Sequence, residues 1–117
     1  MVELDNIREW RGQDVIDPEG EKIGTLEDVY FDIDSTEPQF ARVKTGLFGR
    51  RLTFVPLADA VAGRDRLQVA VEKDRVKDAP SIEPDGELSE QDEANLYRFY
   101  ALDYAPSMTG GRRLARR

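Results

Sequence analysis

Residues 17–34 read DPEGEKIGTLEDVYFDID, a turn followed by a long strand, and that order points to a β domain. Pro18 presets φ for the first central position of a tight turn, and Gly20 accepts positive φ without steric cost. Beyond the turn Val29, Phe31 and Ile33 alternate with Asp28, Tyr30, Asp32 and Asp34. That period of two belongs to a strand with one face on a core and the other in water. Gly24 and Leu26 interrupt the alternation, so a bulge or bend is expected beside them. A strand this long and bent suits a small barrel.

A second strand follows over residues 40–45, where Ala41 and Val43 alternate with Arg42 and Lys44. Placing Phe31 opposite Val43 sets Ile33 against Ala41 and Val29 against Thr45 on the core face. The same register sets Asp32 against Arg42 and Tyr30 against Lys44 outside, so both faces are satisfied. Residues 35–39, with Pro38, form the predicted connection, and the Gly46 to Gly49 segment makes the next turn. Further strands are predicted over residues 52–57 and 67–71, with a short first strand at 14–16, giving five or six in all. Val29, Phe31, Ile33, Val43, Phe54, Val55, Val69 and Val71 are the expected interior. A barrel of this size is filled by its own side chains, which argues against a ligand cavity.

After Val71 the pattern changes. Residues 72–78 suit a short helical turn, and residues 79–88, with Pro80 and Pro84, an extended connection. Ser89 reads as an N-cap with Asp92 three residues on, so a helix is expected from about Ser89 to Leu102. On it Ala94, Leu96, Tyr97, Phe99, Tyr100 and Ala101 spread over more than half the circumference. Two readings stay open: the helix buries most of that arc on the barrel, or Phe99, Tyr100 and Tyr104 meet a partner or a second copy.

The chain has 117 residues, 39% hydrophobic and 35% charged, with a net charge of −7 and no cysteine or histidine. One modest domain is implied, and a general nucleic-acid binder is disfavoured by the charge. No apolar stretch nears the ~20 residues of a membrane span, and the acidic start lacks the marks of a signal peptide; a cytoplasmic location without membrane insertion is expected. Arg112, Arg113, Arg116 and Arg117 set a basic tail apart from the acidic body, and residues 105–117 are expected to be flexible.

The residues then suggest a family. WRGQDVID at 10–17, GEKIGTLEDV at 20–29 and FVPLADAV at 54–61 resemble, in order and spacing, the PRC-barrel domain. That domain is known from the photosynthetic reaction centre H subunit and the ribosome maturation factor M. Likeness covers about residues 7–76, and DAP at 78–80 with LYRFYALDY at 96–104 is similar to the extension of stand-alone bacterial members. The resemblance implies a mainly β fold, a small PRC-type β-barrel with a C-terminal α-helical extension, acting as an interaction or assembly module without shared catalytic residues. Neither the membrane helix of the one relative nor the N-terminal domain of the other is expected in these residues, so a photosynthetic role is not implied and binding a ribosomal protein is only an analogy. The expected layout is a barrel domain over 1–78, a connection over 79–88, a helix over 89–104 packed on the barrel or a partner, and the tail over 105–117.

Without His or Cys the common general base and two common nucleophile arrangements are missing. Paired carboxylates exist, but Asp28, Asp32 and Asp34 share the predicted solvated face, where nothing raises a pKa for acid catalysis. The run from Asp32 to Thr36 begins like a calcium loop and then fails, with Glu37 at the sixth position and Val43 at the twelfth. No Gly-rich phosphate loop follows a strand. The prediction is therefore no enzyme, no cofactor and no metal. Leu47 and Phe48, flanked by Arg50 and Arg51, have the composition of an interface hot spot, or Phe48 plugs a barrel end. Trp10 is expected to cap the barrel or the helix. Together these residues predict a non-catalytic protein-interaction module with an unidentified protein partner, self-associating as a homodimer, with Leu47, Phe48, Arg50, Arg51, Phe99, Tyr100 and Tyr104 as candidate contacts. The alternative is a small-ligand or divalent-ion sensor.

Overall fold

The computed structural model describes residues 10–46, 51–80, 88–104, 108, 111 and 113–116. The strands are β1 (Asp14–Ile16), β2 (Lys22–Asp32), β3 (Pro38–Thr45), β4 (Arg51–Pro56), β5 (Val61–Ala62), β6 (Arg66–Gln68) and β7 (Leu114–Arg116). The helices are α1 (Lys73–Lys77) and α2 (Glu90–Phe99). All seven strands belong to one sheet in the order β4-β3-β2-β1-β6-β5, with β7 attached to β2. The mainly β architecture with a helical extension is as expected. The sheet is not closed, since no ladder among the described residues joins β4 to β5. β5 has two residues and β6 three, too few backbone groups to carry pairing round to the far edge. Helix α1 instead packs against β2 and β4.

The predicted turn at 17–20 is present. Gly20 sits at φ 85°, and the Asp17 carboxylate accepts from the backbone N–H groups of Glu19, Glu21 and, across the fold, Lys73. One buried side chain thus ties the β1–β2 turn to α1.

The register of β2 on β3 differs from the predicted one. Leu26 faces Val43, Asp28 faces Arg42, Val29 faces Ala41 and Tyr30 faces Phe40, with irregularities between Leu26 and Asp28 and between Tyr30 and Phe31. Glu27 is an extra residue on β2 and Gln39 one on β3, so the parity assumed through Ile33 does not survive. Ile33 is 44% exposed and Phe31 half-buried, while Tyr30 and Asp32 are buried. Arg42 accordingly pairs with Asp28 instead of Asp32, and Lys44 with Glu27.

A second cause is that both faces of the sheet are covered. Trp10, Val15, Leu26, Val29, Ala41, Val43, Val55, Leu67, Val69 and Val76 make one core. On the other face Tyr30, Phe40 and Phe54 meet Leu88, Leu96, Tyr97, Tyr100 and Leu114. The face expected to be wet is a bed for α2.

The α2 start is as predicted: Asp92 N–H donates to Ser89 Oγ at 3.0 Å and Ser89 N–H to Asp92 Oδ2 at 3.2 Å, a capping box. Its end comes earlier than Leu102. Ala101 takes φ 58°, Ala101 N–H donates to the Arg98 carbonyl and Leu102 N–H to that of Tyr97, a Schellman closure with alanine where glycine is usual.

Candidate functional site

A cleft of about 800 Å³ opens where α1 lies beside the ends of β2, β3 and β4. Ile23, Gly24, Thr25, Thr45, Gly46 and Val76 line it between Lys22, Lys44, Arg51, Lys73 and Lys77. Five cations thus converge, and among the described residues no carboxylate lines the cleft. Strand register explains part of this, because Lys44 lies opposite both Thr25 and Leu52, and Thr45 opposite Arg51. Three of the lysines have carboxylate neighbours outside the lining: Lys22 with Asp14 at 3.1 Å, Lys44 with Glu27 at 3.1 Å and Lys77 with Asp74 at 3.6 Å. All are solvent-exposed pairs, worth ~0–1 kcal/mol each, so the lysines can exchange partners readily. Arg51 Nη2 donates to the Ala79 carbonyl at 3.2 Å, which steadies one wall.

Of the predicted contact residues, Leu47, Phe48 and Arg50 lie outside the described residues. Arg51 opens β4 and joins the cleft, which therefore sits at the base of that hairpin. Phe99 is half-buried, with its ring against Tyr100 and under the Arg75 guanidinium, 4.8 Å from the ring centroid. Tyr100 is not available to a partner. It is buried, its hydroxyl donates to the Phe54 carbonyl at 2.6 Å, and burial pushes its phenol pKa well up. Burial likewise pushes the Tyr97 phenol up to about 12. Tyr104 is half-buried, its ring on Tyr97 and its hydroxyl donating to Glu93 Oε1 at 2.7 Å. The broad aromatic arc of α2 is thus largely spent on the second core; the reading of Tyr100 as an interface residue is corrected.

Of the tail predicted over 105–117, residues 105–107, 109, 110, 112 and 117 lie outside the described residues, and the expectation is corrected at 113–116. Residues Leu114–Arg116 form β7, antiparallel to Tyr30–Asp32 of β2, on the edge of β2 that β1 leaves open. Two buried carboxylates hold this strand. Glu93, 0% exposed, accepts from the N–H groups of Arg113 and Leu114, the latter at 2.6 Å. Asp32, 3% exposed, takes Arg113 Nε at 2.6 Å on Oδ2 and the N–H groups of Asp34 and Ser35 on Oδ1. Leu114 enters the second core. Of the four arginines that looked like a solvated end, Arg113 has its charge met by Asp32, and Leu114 beside it is anchored in the core.

Burial works against ionising Asp32, yet the hydrogen bonds from Arg113, Asp34 and Ser35 outweigh it and hold its carboxyl below the ordinary 3.8. Asp17 is shifted the same way, its burial outweighed by the N–H groups of Lys73, Glu21 and Glu19. A depressed folded pKa contributes stability above the unfolded value and loses it as pH falls through the folded one. Thermal unfolding from pH 7 to 2.5 should therefore show a Tm that is level down to pH 5 and drops below about pH 4. Asp32→Asn should flatten part of that drop; an unchanged profile in the variant would remove Asp32 from the account.

Carboxylates held ionised in this way are poor proton donors near neutral pH. Among the described residues no group of three or more Asp or Glu side chains is placed to hold a metal ion, and no helix is long and apolar enough to cross a membrane. A search of curated protein sequences returns no match. The family model of the PRC-barrel domain matches residues 3–76, a span that carries β1 to β6 and most of the cationic cleft while leaving α2 and β7 outside it. With nearly two-thirds of its length under that model, and the open β-sheet built as described, the chain belongs to the PRC-barrel family.

Proposed function

We propose that the chain is a non-catalytic protein-interaction or assembly module that also associates with itself, and that the cationic cleft is the face it offers to an acidic segment of a partner protein. The observation that carries this reading is charge placement: on a chain of net charge −7, Lys22, Lys44, Arg51, Lys73 and Lys77 surround one open cleft that no carboxylate among the described residues lines. Gathering like charges costs electrostatic energy, which a bound anionic surface recovers while it raises the association rate. The aliphatic stems of the lysines, with Ile23 and Val76, give such a segment apolar surface as well.

A titration with a fluorescent decapeptide of alternating Glu and Asp tests it. Saturable binding is expected, weakened at least tenfold by Lys44→Glu with Lys73→Glu and suppressed between 50 and 500 mM salt. Binding that ignores the charge reversal, or none at low salt, would sink the proposal. A small anionic ligand is the second reading, because about 800 Å³ falls within the usual size of small-molecule sites. A thermal shift with inorganic pyrophosphate, absent with the peptide, would favour that sensor.

A further inference from the structure

The best-built receptor in the molecule is the groove that holds residues 113–116. Its walls are the β2 edge at Tyr30–Asp32 and the face of α2 that carries Glu93. It reads its occupant in three ways: Glu93 takes two consecutive backbone N–H groups, Asp32 takes an arginine guanidinium, and the second core takes a leucine. Ile33 N–H adds a bond to the Arg113 carbonyl at 2.8 Å. This is strand addition to a sheet edge, with two buried carboxylates setting the specificity.

Such a groove has no stable empty form. Withdrawing the strand would strip Glu93 of both backbone N–H donors and Asp32 of its guanidinium partner, leaving only the Tyr104 hydroxyl on the one and the Asp34 and Ser35 N–H groups on the other, which is unfavourable for two buried charges. Whatever lifts the native strand out must supply an Arg-Leu strand in its place. The same segment of a second copy meets that demand contact for contact.

We propose that the groove accepts residues 113–116 of a second copy, giving a two-fold dimer by reciprocal strand exchange. This rests on the self-association in the function proposed above and names its interface. Exchange conserves each contact of the strand and alters only the connection, whose sequence includes Pro106, Gly110 and Gly111. A tether of this length holds its own strand at an effective concentration of order 1 mM, so the dimer forms as the protein approaches that range. Once formed it outlasts dilution, because return requires both strands to leave.

The absence of cysteine makes the test clean. Phe31 and Ala115 lie opposite each other across the β2–β7 pair. Phe31→Cys on a chain with an added tag and Ala115→Cys on an untagged chain are mixed at about 1 mM, diluted and bridged with a short bis-maleimide. A tagged–untagged crosslinked dimer, increasing with the concentration at mixing, is the expected result. Ile33→Cys, at an exposed position, replaces Phe31→Cys if circular dichroism shows the latter unfolded. Light scattering on the same wild-type samples separates the two ideas. A dimer without the tagged–untagged crosslink overturns strand exchange and leaves self-association standing, whereas a monomer throughout overturns both.

Discussion

Replacing Glu93 by alanine should lower stability by about 4 kcal/mol, a large share of the roughly 5–15 kcal/mol that a domain of this size has. The carboxylate is wholly buried and accepts from Tyr104 Oη, Arg113 N and Leu114 N. Alanine supplies no acceptor and admits no water in proportion, so three donors, one fully buried and two partly, lose a charged partner at once. β7 loses its attachment to α2, and Leu114 its fixed position beside Tyr30, Phe40 and Leu96. Thermal unfolding should show a Tm lower by roughly 15 °C. Glu93→Gln keeps the shape and one carbonyl oxygen and should cost about half as much. Amide exchange gives a local check, with the Leu114 N–H losing protection before those of β3. A loss under about 1 kcal/mol for the alanine variant would mean that the strand is held by its backbone ladder and Asp32 alone.

Gly24→Ala should be comparably damaging for a steric reason. A Cβ at that position would stand 2.1 Å from the Lys44 carbonyl oxygen, 2.9 Å from its carbon and 2.7 Å from Val43 Cγ1. Two of those atoms are backbone of β3, which cannot retreat without opening the β2–β3 ladder that centres the sheet. Overpacking against backbone at a sheet centre costs about 3 kcal/mol. Urea unfolding should show the midpoint falling accordingly, and a variant within 0.5 kcal/mol or so of the wild type would show that β2 can slide away from β3.

β1 to β4, β6 and both helices were legible because their signals are local, whereas β5 and β7 were not predicted. The turn at Asp17 to Gly20, the capping box at Ser89 and Asp92, and the irregularity near Gly24 each rest on a few neighbouring residues. What failed required knowing what covers each surface. The register through Ile33 assumed one wet face, and the sheet has two cores separated by bulges at Glu27 and Gln39. The signals for the strand clamp were nonetheless present. Glu93 is the charged member of a series with Leu96, Tyr97 and Tyr100 on the buried face of α2, and Leu114 is a large apolar residue among arginines. A carboxylate within an apolar stripe needs buried donors, and a leucine in a basic segment needs a core. Of the cleft, Arg51 alone was among the candidate residues; the lysines come from separate strands and α1 and meet only once the chain is folded.

The pairing of β7 with β2 also sets an order of events during synthesis. Asp32 and its arginine partner are 81 residues apart. At roughly 5–20 residues per second, the β2 edge waits some ~4–16 s on the ribosome before its partner is even made. Through that interval the nascent chain carries a bare strand edge and the hydrated Asp32 carboxylate, joined by Glu93 only over the last 20 residues, the state most open to a chaperone or to a neighbouring chain on the same polysome.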